Sequence, residues 1–176
     1  MRKVRSINEL EEYILGQIET AMVCKGGLND YLIKETKDMV NKLVYQSYKP
    51  KEYTRTYELR ESIECTNMDK DNKSVTTQIS HNTDLIHAYK PNQHYSLDPN
   101  AKGDVSDFIP DIVVNNLSGF FRGIGNDGRY HNIGYGFWRV KKPYFEKMIE
   151  EQYKSKEYLN VLIRILKSNG NDVEII

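Results

Sequence analysis

The stretch that decides the fold is Val44-Tyr45-Gln46-Ser47-Tyr48-Lys49-Pro50-Lys51-Glu52-Tyr53-Thr54-Arg55-Thr56-Tyr57-Glu58-Leu59. Its first residues continue a helical pattern in which Tyr45 and Tyr48 lie three apart, on one face. Pro50 cannot continue that helix, because it lacks the amide donor and clashes with the preceding turn. We therefore predict that the helix ends near Ser47 or Tyr48.

The residues after Pro50 alternate as strand residues do. Tyr53, Arg55, Tyr57 and Leu59 have one parity and the residues between them have the other, which predicts an extended segment with two different faces. For 58–63 two interpretations stay open, a helical turn and a continued strand, because Leu59 and Ile63 are four residues apart. Arg55 could stack its guanidinium on a flanking tyrosine ring and still bind a carboxylate. Two interpretations of Arg55 stay open, a brace within the chain and a contact with another subunit.

Helices are predicted on both sides of this stretch. Ser6 has capping-box spacing to Glu9, and an apolar residue then recurs every three or four positions, which predicts an amphipathic helix up to about Val23. Gly26-Gly27 interrupts the pattern, and a second helix is predicted from about Asn29. Near the C-terminus the pattern predicts helices at 143–150 and 156–168, the first opened by a proline and the second ended by a glycine.

Short extended runs occupy the middle of the chain. A polar, turn-forming segment at 68–73 precedes a β-branched strand at 74–80, and we predict further strands at 84–89 and 172–176. Long loops are predicted at about 90–107 and 119–138, the second a glycine-rich and aromatic hairpin, with a short helix at 108–117 between them. The expected fold is a single α+β domain over 1–176, with N-terminal helices, a small antiparallel sheet and C-terminal helices packed on the sheet.

The composition limits the classes of function. Lys plus Arg and Asp plus Glu both number 25, so the average surface does not attract a polyanion. Cys24 and Cys65 lack metal-site or disulfide-framework spacing, the N-terminus has no signal-peptide pattern, and no segment is apolar enough to span a bilayer. We expect no membrane association and synthesis in the cytoplasm.

Tyrosine occurs 13 times, and its amphipathic ring suits partner interfaces as well as core rims.

No pattern predicts a catalytic, cofactor or metal site. The four histidines lack a recognised ligand spacing, and Gly123-x-Gly125-x-x-Gly128 lacks the strand and helix that a dinucleotide site requires. We therefore expect a protein that is not an enzyme and needs no cofactor. The alternatives are a small metal-dependent nuclease using the region of His131, where His and Asn could position water near a cation, and a cytosolic binding or inhibitor protein.

The chain resembles the tail-completion and minor tail proteins of the head-to-tail neck in tailed bacteriophages. The resemblance rests on Tyr45, Tyr48, Pro50, Tyr53, Arg55, Thr56 and Leu59, which match a Tyr-x-x-Tyr-x-Pro-x-x-Tyr-x-Arg-Thr-like segment followed by a leucine, and on Lys142-Pro143-Tyr144-Phe145. It implies a structural virion protein, assembled in the bacterial host cytoplasm. The implied partners are copies of itself in a ring and the connector or adaptor, tail terminator or tail tube proteins, with DNA only as passing cargo.

Ten residues are candidates for the protein interface, chosen as tyrosines and other large rings beside Pro50 or in the glycine-rich hairpin, together with one arginine. They are Tyr45, Tyr48, Tyr53, Arg55, Tyr57, Phe120, Phe121, Tyr130, Tyr135 and Trp138.

Overall fold

A computed structural model describes residues 6–47, 56–86, 122–124, 130–132 and 142–174. In chain order, its principal elements are α1 (Ile7–Val23), α2 (Leu28–Val40), α3 (Glu58–Glu61), β1 (Ile63–Lys70), β2 (Val75–His81), β3 (Arg122–Ile124), β4 (Tyr130–Asn132), α4 (Tyr144–Ser155) and α5 (Glu157–Ser168). β1 pairs with β2, and β3 pairs with β4. The predicted α+β class, with helices at both ends and a small antiparallel sheet, is confirmed.

Local chemistry sets the boundaries of the N-terminal helices. The Ser6 hydroxyl accepts a hydrogen bond from the Glu9 amide at 3.2 Å and caps α1. Gly26 has a φ of +74°, which favours glycine, and its amide donates to the Asp30 carboxylate at 2.7 Å. The predicted break between two helices is therefore confirmed. α2 continues as a π-helical turn, Asn41–Tyr45, so the helix ends two residues before the predicted stop at Ser47.

The chain divides into two compact units, which are described separately: 1–36, 64–80 and 148–176 form the first, and 37–63 and 81–147 the second. The prediction of a single domain stays a prediction. In the first unit, α1 packs on α5 around a cluster of buried apolar residues: Ala21, Met22, Leu28, Val161, Ile165 and Leu166. Val75 of β2 packs against the same cluster, to which α5 contributes Val161, Ile165 and Leu166.

The hairpin between β1 and β2 is held at its turn and along its strands. At the turn, the Asp71 carboxylate accepts from the backbone amides of Lys73 at 2.6 Å and Ser74 at 2.7 Å. These bonds, that of Lys73 first, lower the pKa of Asp71. Along the strands, the Cys65 thiol lies 2.6 Å from the Thr77 hydroxyl. The turn predicted within 68–73 is thus confirmed, although β1 continues to Lys70 before the chain reverses.

Of the two interpretations left open for 58–63, the structure shows the helical turn, and the predicted strand alternation does not extend through Tyr57. Tyr57 has a left-handed φ of +62°, and its carbonyl accepts from the amides of Arg60 and Glu61, which begins α3. A helical turn brings Leu59 and Ile63, four residues apart, to the same side, and both are buried. The local structure here therefore follows from burial of Leu59 and Ile63 and not from the alternating pattern of the sequence.

Two other predicted strands, at 84–89 and 172–176, are wrong in the part that the structure describes. Where a strand was expected from Asp84, Thr83–Leu85 is a 3₁₀ turn, because the Asn82 side chain accepts from the Asp84 amide and caps it. Residues 171–174 have no regular secondary structure, where a terminal strand was predicted. On α4, Ile149 was expected on the inner face but is 60% exposed, and Gln152 is buried instead.

The glycine-rich segment contains a short hairpin. β3 and β4 pair antiparallel, with Arg122 opposite Asn132 and Ile124 opposite Tyr130, which confirms the hairpin predicted within 119–138. The predictions for the loop at 90–107 and for a helix at 108–117 lie outside the described residues.

Candidate functional site

Two of the predicted interface tyrosines meet in the second unit. Tyr45 ends the π-helical turn and Tyr57 immediately precedes α3, and their rings lie edge to face with centroids 4.8 Å apart. This geometry is favourable for aromatic pairs. Tyr57 keeps 39% of its surface exposed, so the pair presents a tyrosine ring at the surface in a fixed orientation.

Arg60 completes this cluster, and the sequence analysis did not select it. Its guanidinium carbon lies 5.0 Å from the centroid of the Tyr57 ring, within the range of a cation–π contact. Its side chain also donates to the Asn41 amide oxygen at 3.1 Å and to the Glu61 carboxylate at 2.7 Å. We call Tyr45, Tyr57 and Arg60 the tyrosine–arginine cluster.

Arg60 was missed because its spacing to Tyr57 has meaning only in a helix. Residues three apart are neighbours on a helical turn, whereas the pattern was interpreted as a strand, in which Arg55 shares a face with Tyr57. Arg55 lies outside the described residues, so its predicted stacking stays a prediction.

The charges beside the cluster are balanced locally. Glu61 accepts hydrogen bonds from Arg60 and, at 3.2 Å, from Lys37, and these bonds, that of Arg60 first, lower the pKa of Glu61. Ion pairs this exposed contribute little to folding stability. Their effect here is to orient the Arg60 guanidinium over the Tyr57 ring.

The remaining interface candidates are not brought together by the described part of the chain. Tyr130 lies in β4, opposite Ile124 in the backbone register. The others lie outside the described residues: Tyr48, Tyr53, Arg55, Phe120, Phe121, Tyr135 and Trp138. Their roles at an interface stay predictions.

A second polar group of the same unit links three elements around His81. Its Nδ1 lies 2.7 Å from the Ser62 hydroxyl, and its Nε2 lies 2.7 Å from the Tyr144 hydroxyl. Ser62 donates its own proton to the Leu59 carbonyl at 3.0 Å, so it can only accept from His81. Burial lowers the pKa of His81, so the imidazole is neutral at neutral pH. The tautomer with its proton on Nδ1 is the one that fits an accepting Ser62, and in that tautomer Nε2 accepts from Tyr144.

The His81 network has the connectivity of a hydrogen-bonded Ser–His pair but not the geometry of a nucleophile. Ser62 and Tyr144 are both fully buried, and the Ser62 proton is committed to a backbone carbonyl. A catalytic serine donates to its histidine and must reach a substrate. The network therefore joins the end of α3, β2 and α4 rather than activating Ser62.

Replacing Tyr144 with phenylalanine tests the structural role of this network. The ring still fills its buried site, but His81 Nε2 loses its donor, and an unsatisfied buried acceptor costs about 2 kcal/mol. We expect the free energy of unfolding, measured by urea denaturation at neutral pH, to fall by about that amount. The control is Tyr153→Phe, since Tyr153 is 76% exposed; equal losses in both variants would contradict the network.

The histidines are not gathered into a metal site in the described residues, where no group of three or more His, Cys, Asp or Glu side chains could hold an ion. His131, the centre of the nuclease alternative, pairs with Gly123 in the backbone register of β3 and β4.

Among the described helices, none has both the length and the apolar character needed to cross a bilayer.

The fold and the tyrosine–arginine cluster define a small α+β protein that presents an oriented aromatic and cationic surface. The family model YomN matches residues 6–168 of the chain. The protein therefore belongs to the YomN family, which is phage-related. No curated protein and no solved structure matches it.

Proposed function

We propose that the protein is a structural component of a tailed-phage particle, at the head-to-tail neck or the upper tail. Membership of a phage-related family is the observation that carries this proposal. The specific position comes from the resemblance of the segment around Pro50 to tail-completion proteins. In this role the protein forms a ring that joins the connector to the tail tube, and DNA passes through without being a ligand.

The tyrosine–arginine cluster supports a role in binding another protein. Tyrosine and arginine are the residue types that dominate binding energy at protein interfaces. Here the Arg60 guanidinium is already held over the Tyr57 ring by Asn41 and Glu61, so less side-chain entropy is lost on association. A ring requires different patches of neighbouring subunits to meet, and we propose the cluster as one of these patches.

Mass spectrometry of purified particles tests the proposal directly. We expect the protein in intact virions or tail-like particles of the source strain, at a constant ratio to the tail tube protein. Its absence from particles, with detection in the host cytosol, would overturn the virion role and favour the cytosolic binding or nuclease alternatives.

Tyr57→Ala tests the cluster within that role. We expect incorporation of the protein into particles to fall about 30-fold, because loss of an aromatic anchor typically weakens an interface by about 2 kcal/mol or more. The measurement is the ratio of this protein to tail tube protein in particles from a complemented deletion strain. Tyr153→Ala, at another exposed tyrosine, is the matched control, and equal incorporation of the two variants would exclude the cluster.

A further inference from the structure

The tyrosine–arginine cluster joins two segments that are distant from each other in the chain. Tyr45 belongs to the π-helical turn that follows α2, whereas Tyr57 and Arg60 belong to the start of α3. Arg60 donates to Glu61 and to the side-chain oxygen of Asn41. Glu61 directly follows Arg60 on the same helical turn, so that bond moves with α3. The bond to Asn41 crosses to the π-helical turn, 19 residues away in the chain, and so fixes Arg60 relative to the other side of the cluster.

The π-helical turn brings both of its ends to the cluster. Its first residue is Asn41, whose carbonyl accepts from the Gln46 amide at 2.8 Å, and its last is Tyr45. The Asn41 side chain contacts Arg60. The Tyr45 ring contacts that of Tyr57. Residues four apart in a helix are neighbours on its surface, which brings these two contacts together, and π-helical turns are rare and frequent at functional sites.

The opposite segment also has an unusual backbone. Tyr57 has a φ of +62°, a left-handed conformation that residues with a side chain rarely adopt. Conformations of this kind persist where surrounding contacts hold them, and they cluster at functional sites. The contacts of the Tyr57 ring with Tyr45 and with Arg60 hold it here. The backbone is thus irregular on both sides of the cluster, at the residues that place its rings and its charge.

We infer that Asn41 is the positioning residue of the tyrosine–arginine cluster and acts on a binding partner through Arg60. Its side-chain oxygen fixes the direction of the Arg60 guanidinium over the Tyr57 ring before association. An arginine that is already ordered loses less side-chain entropy when a partner binds. The inference rests on the binding role proposed for the cluster, and it adds the residue that gives the cluster its orientation.

Nuclear magnetic resonance of the full-length protein tests the positioning. Protons of Arg60 that lie over the Tyr57 ring are shifted upfield by its ring current and give Overhauser contacts with the ring protons. We expect Asn41→Ala to lose both signals, because it removes the acceptor, and Asn41→Asp to retain both, because it keeps an oxygen in the same place. The matched control is Asn160→Ala, which removes another helical asparagine whose side chain donates to Glu157 and should leave both signals unchanged.

Incorporation into particles tests the consequence for binding. We expect Asn41→Ala to lower the ratio of this protein to tail tube protein about fivefold, because the free arginine must then be ordered on association. Asn41→Asp should restore most of this loss, a rescue that a merely structural role of the side chain would not give. Asn160→Ala should be incorporated as the wild type is, and circular dichroism confirms that each variant is folded.

Three results would overturn the inference, each for a different reason. Arg60–Tyr57 signals that persist in Asn41→Ala would show that another group orients the guanidinium. Loss of these signals with unchanged incorporation of Asn41→Ala, where Tyr57→Ala is incorporated poorly, would show that the orientation of Arg60 does not affect binding. Normal incorporation of Tyr57→Ala would overturn the binding role of the cluster itself, and with it this inference, so the two failures are distinguishable.

Discussion

Lowering the pH from 6.5 to 4 is expected to destabilise the protein by about 3 kcal/mol through His81 alone. Burial disfavours the charged imidazole and lowers the pKa of His81 from 6.5 to about 4. The hydrogen bonds of His81 with Ser62 and Tyr144 hold the neutral form in place. Each pKa unit of difference between the folded and unfolded states corresponds to about 1.4 kcal/mol.

The direction of the effect follows from proton binding. Well above pH 6.5 the histidine is neutral in both states, so the full stability is present. As the pH falls below 6.5, the unfolded chain binds a proton that the folded protein excludes, and the free energy of unfolding decreases. The loss continues until the pH passes the folded pKa of about 4, with about 2 kcal/mol of it complete by about pH 5.

Urea denaturation at a series of pH values measures this loss, and His81→Gln is the control. Glutamine can accept from Tyr144 and donate to Ser62 but does not titrate, while the other three histidines are present in both proteins. We expect the variant to be less stable at neutral pH and to lack the wild-type decline between about pH 6.5 and 5. Parallel profiles for the two proteins would show that His81 is not the titrating group.

Gly27→Ala is expected to destabilise the protein by about 3 kcal/mol. A Cβ at this buried position would lie 2.6 Å from the Cys24 carbonyl oxygen, 2.7 Å from that of Ala21 and 2.8 Å from that of Met22. All three are backbone atoms at the end of α1, so no side-chain rotation can relieve the overlap. The connection to α2 would have to move, which disturbs the packing of Met22 and Leu28 in the core cluster of the first unit.

Gly26→Ala separates this steric effect from backbone strain. Gly26 has a φ of +74°, but an alanine Cβ there would meet no heavy atom within 4 Å. Gly26→Ala is therefore expected to lower the free energy of unfolding by about 1 kcal/mol, which is the cost of placing an alanine in the left-handed conformation. Urea denaturation of the two single variants gives the comparison. If Gly27→Ala proves no less stable than Gly26→Ala, the close approach of the two backbones is not what requires glycine at position 27.

The predictions from sequence that are confirmed rest on contacts within a few residues. The Ser6 cap, the Gly26-Gly27 break and the Asp71 turn each depend on a side chain or a glycine acting on its immediate neighbours. The helix that begins after Pro143 follows the same rule, since proline suits a helix start. Local chemistry of this kind is visible in a single sequence.

The predictions that are wrong depend on which residues are covered in the folded chain. Tyr57 alternates with Tyr53 and Arg55 like a strand residue but begins a helical turn, and the sequence alone left the turn and a continued strand both open for the buried Leu59. Similarly, Ile149 has the spacing of an inner residue but is exposed. The spacing of apolar residues in the sequence indicates that one face of an element is apolar, but it does not indicate which part of that face another element covers.

The candidate site shows the same division. Tyr45 and Tyr57 were selected by residue type and position, and the structure places their rings in contact. Arg60 was missed, because its place over Tyr57 depends on the helical turn at Glu58–Glu61. The interface roles of the other selected residues remain predictions.

The sequence by itself determined the order of the helices, the β1–β2 hairpin and the α+β class, because caps, turns and apolar periods act over short distances. Only the tertiary structure decided that Ser62, His81 and Tyr144 share one buried network, and that Ile7, Leu10 and Ile14 remain uncovered while Met22 does not. These features join or separate residues far apart in the chain. They are set by which surfaces pack together, and that choice depends on the whole fold.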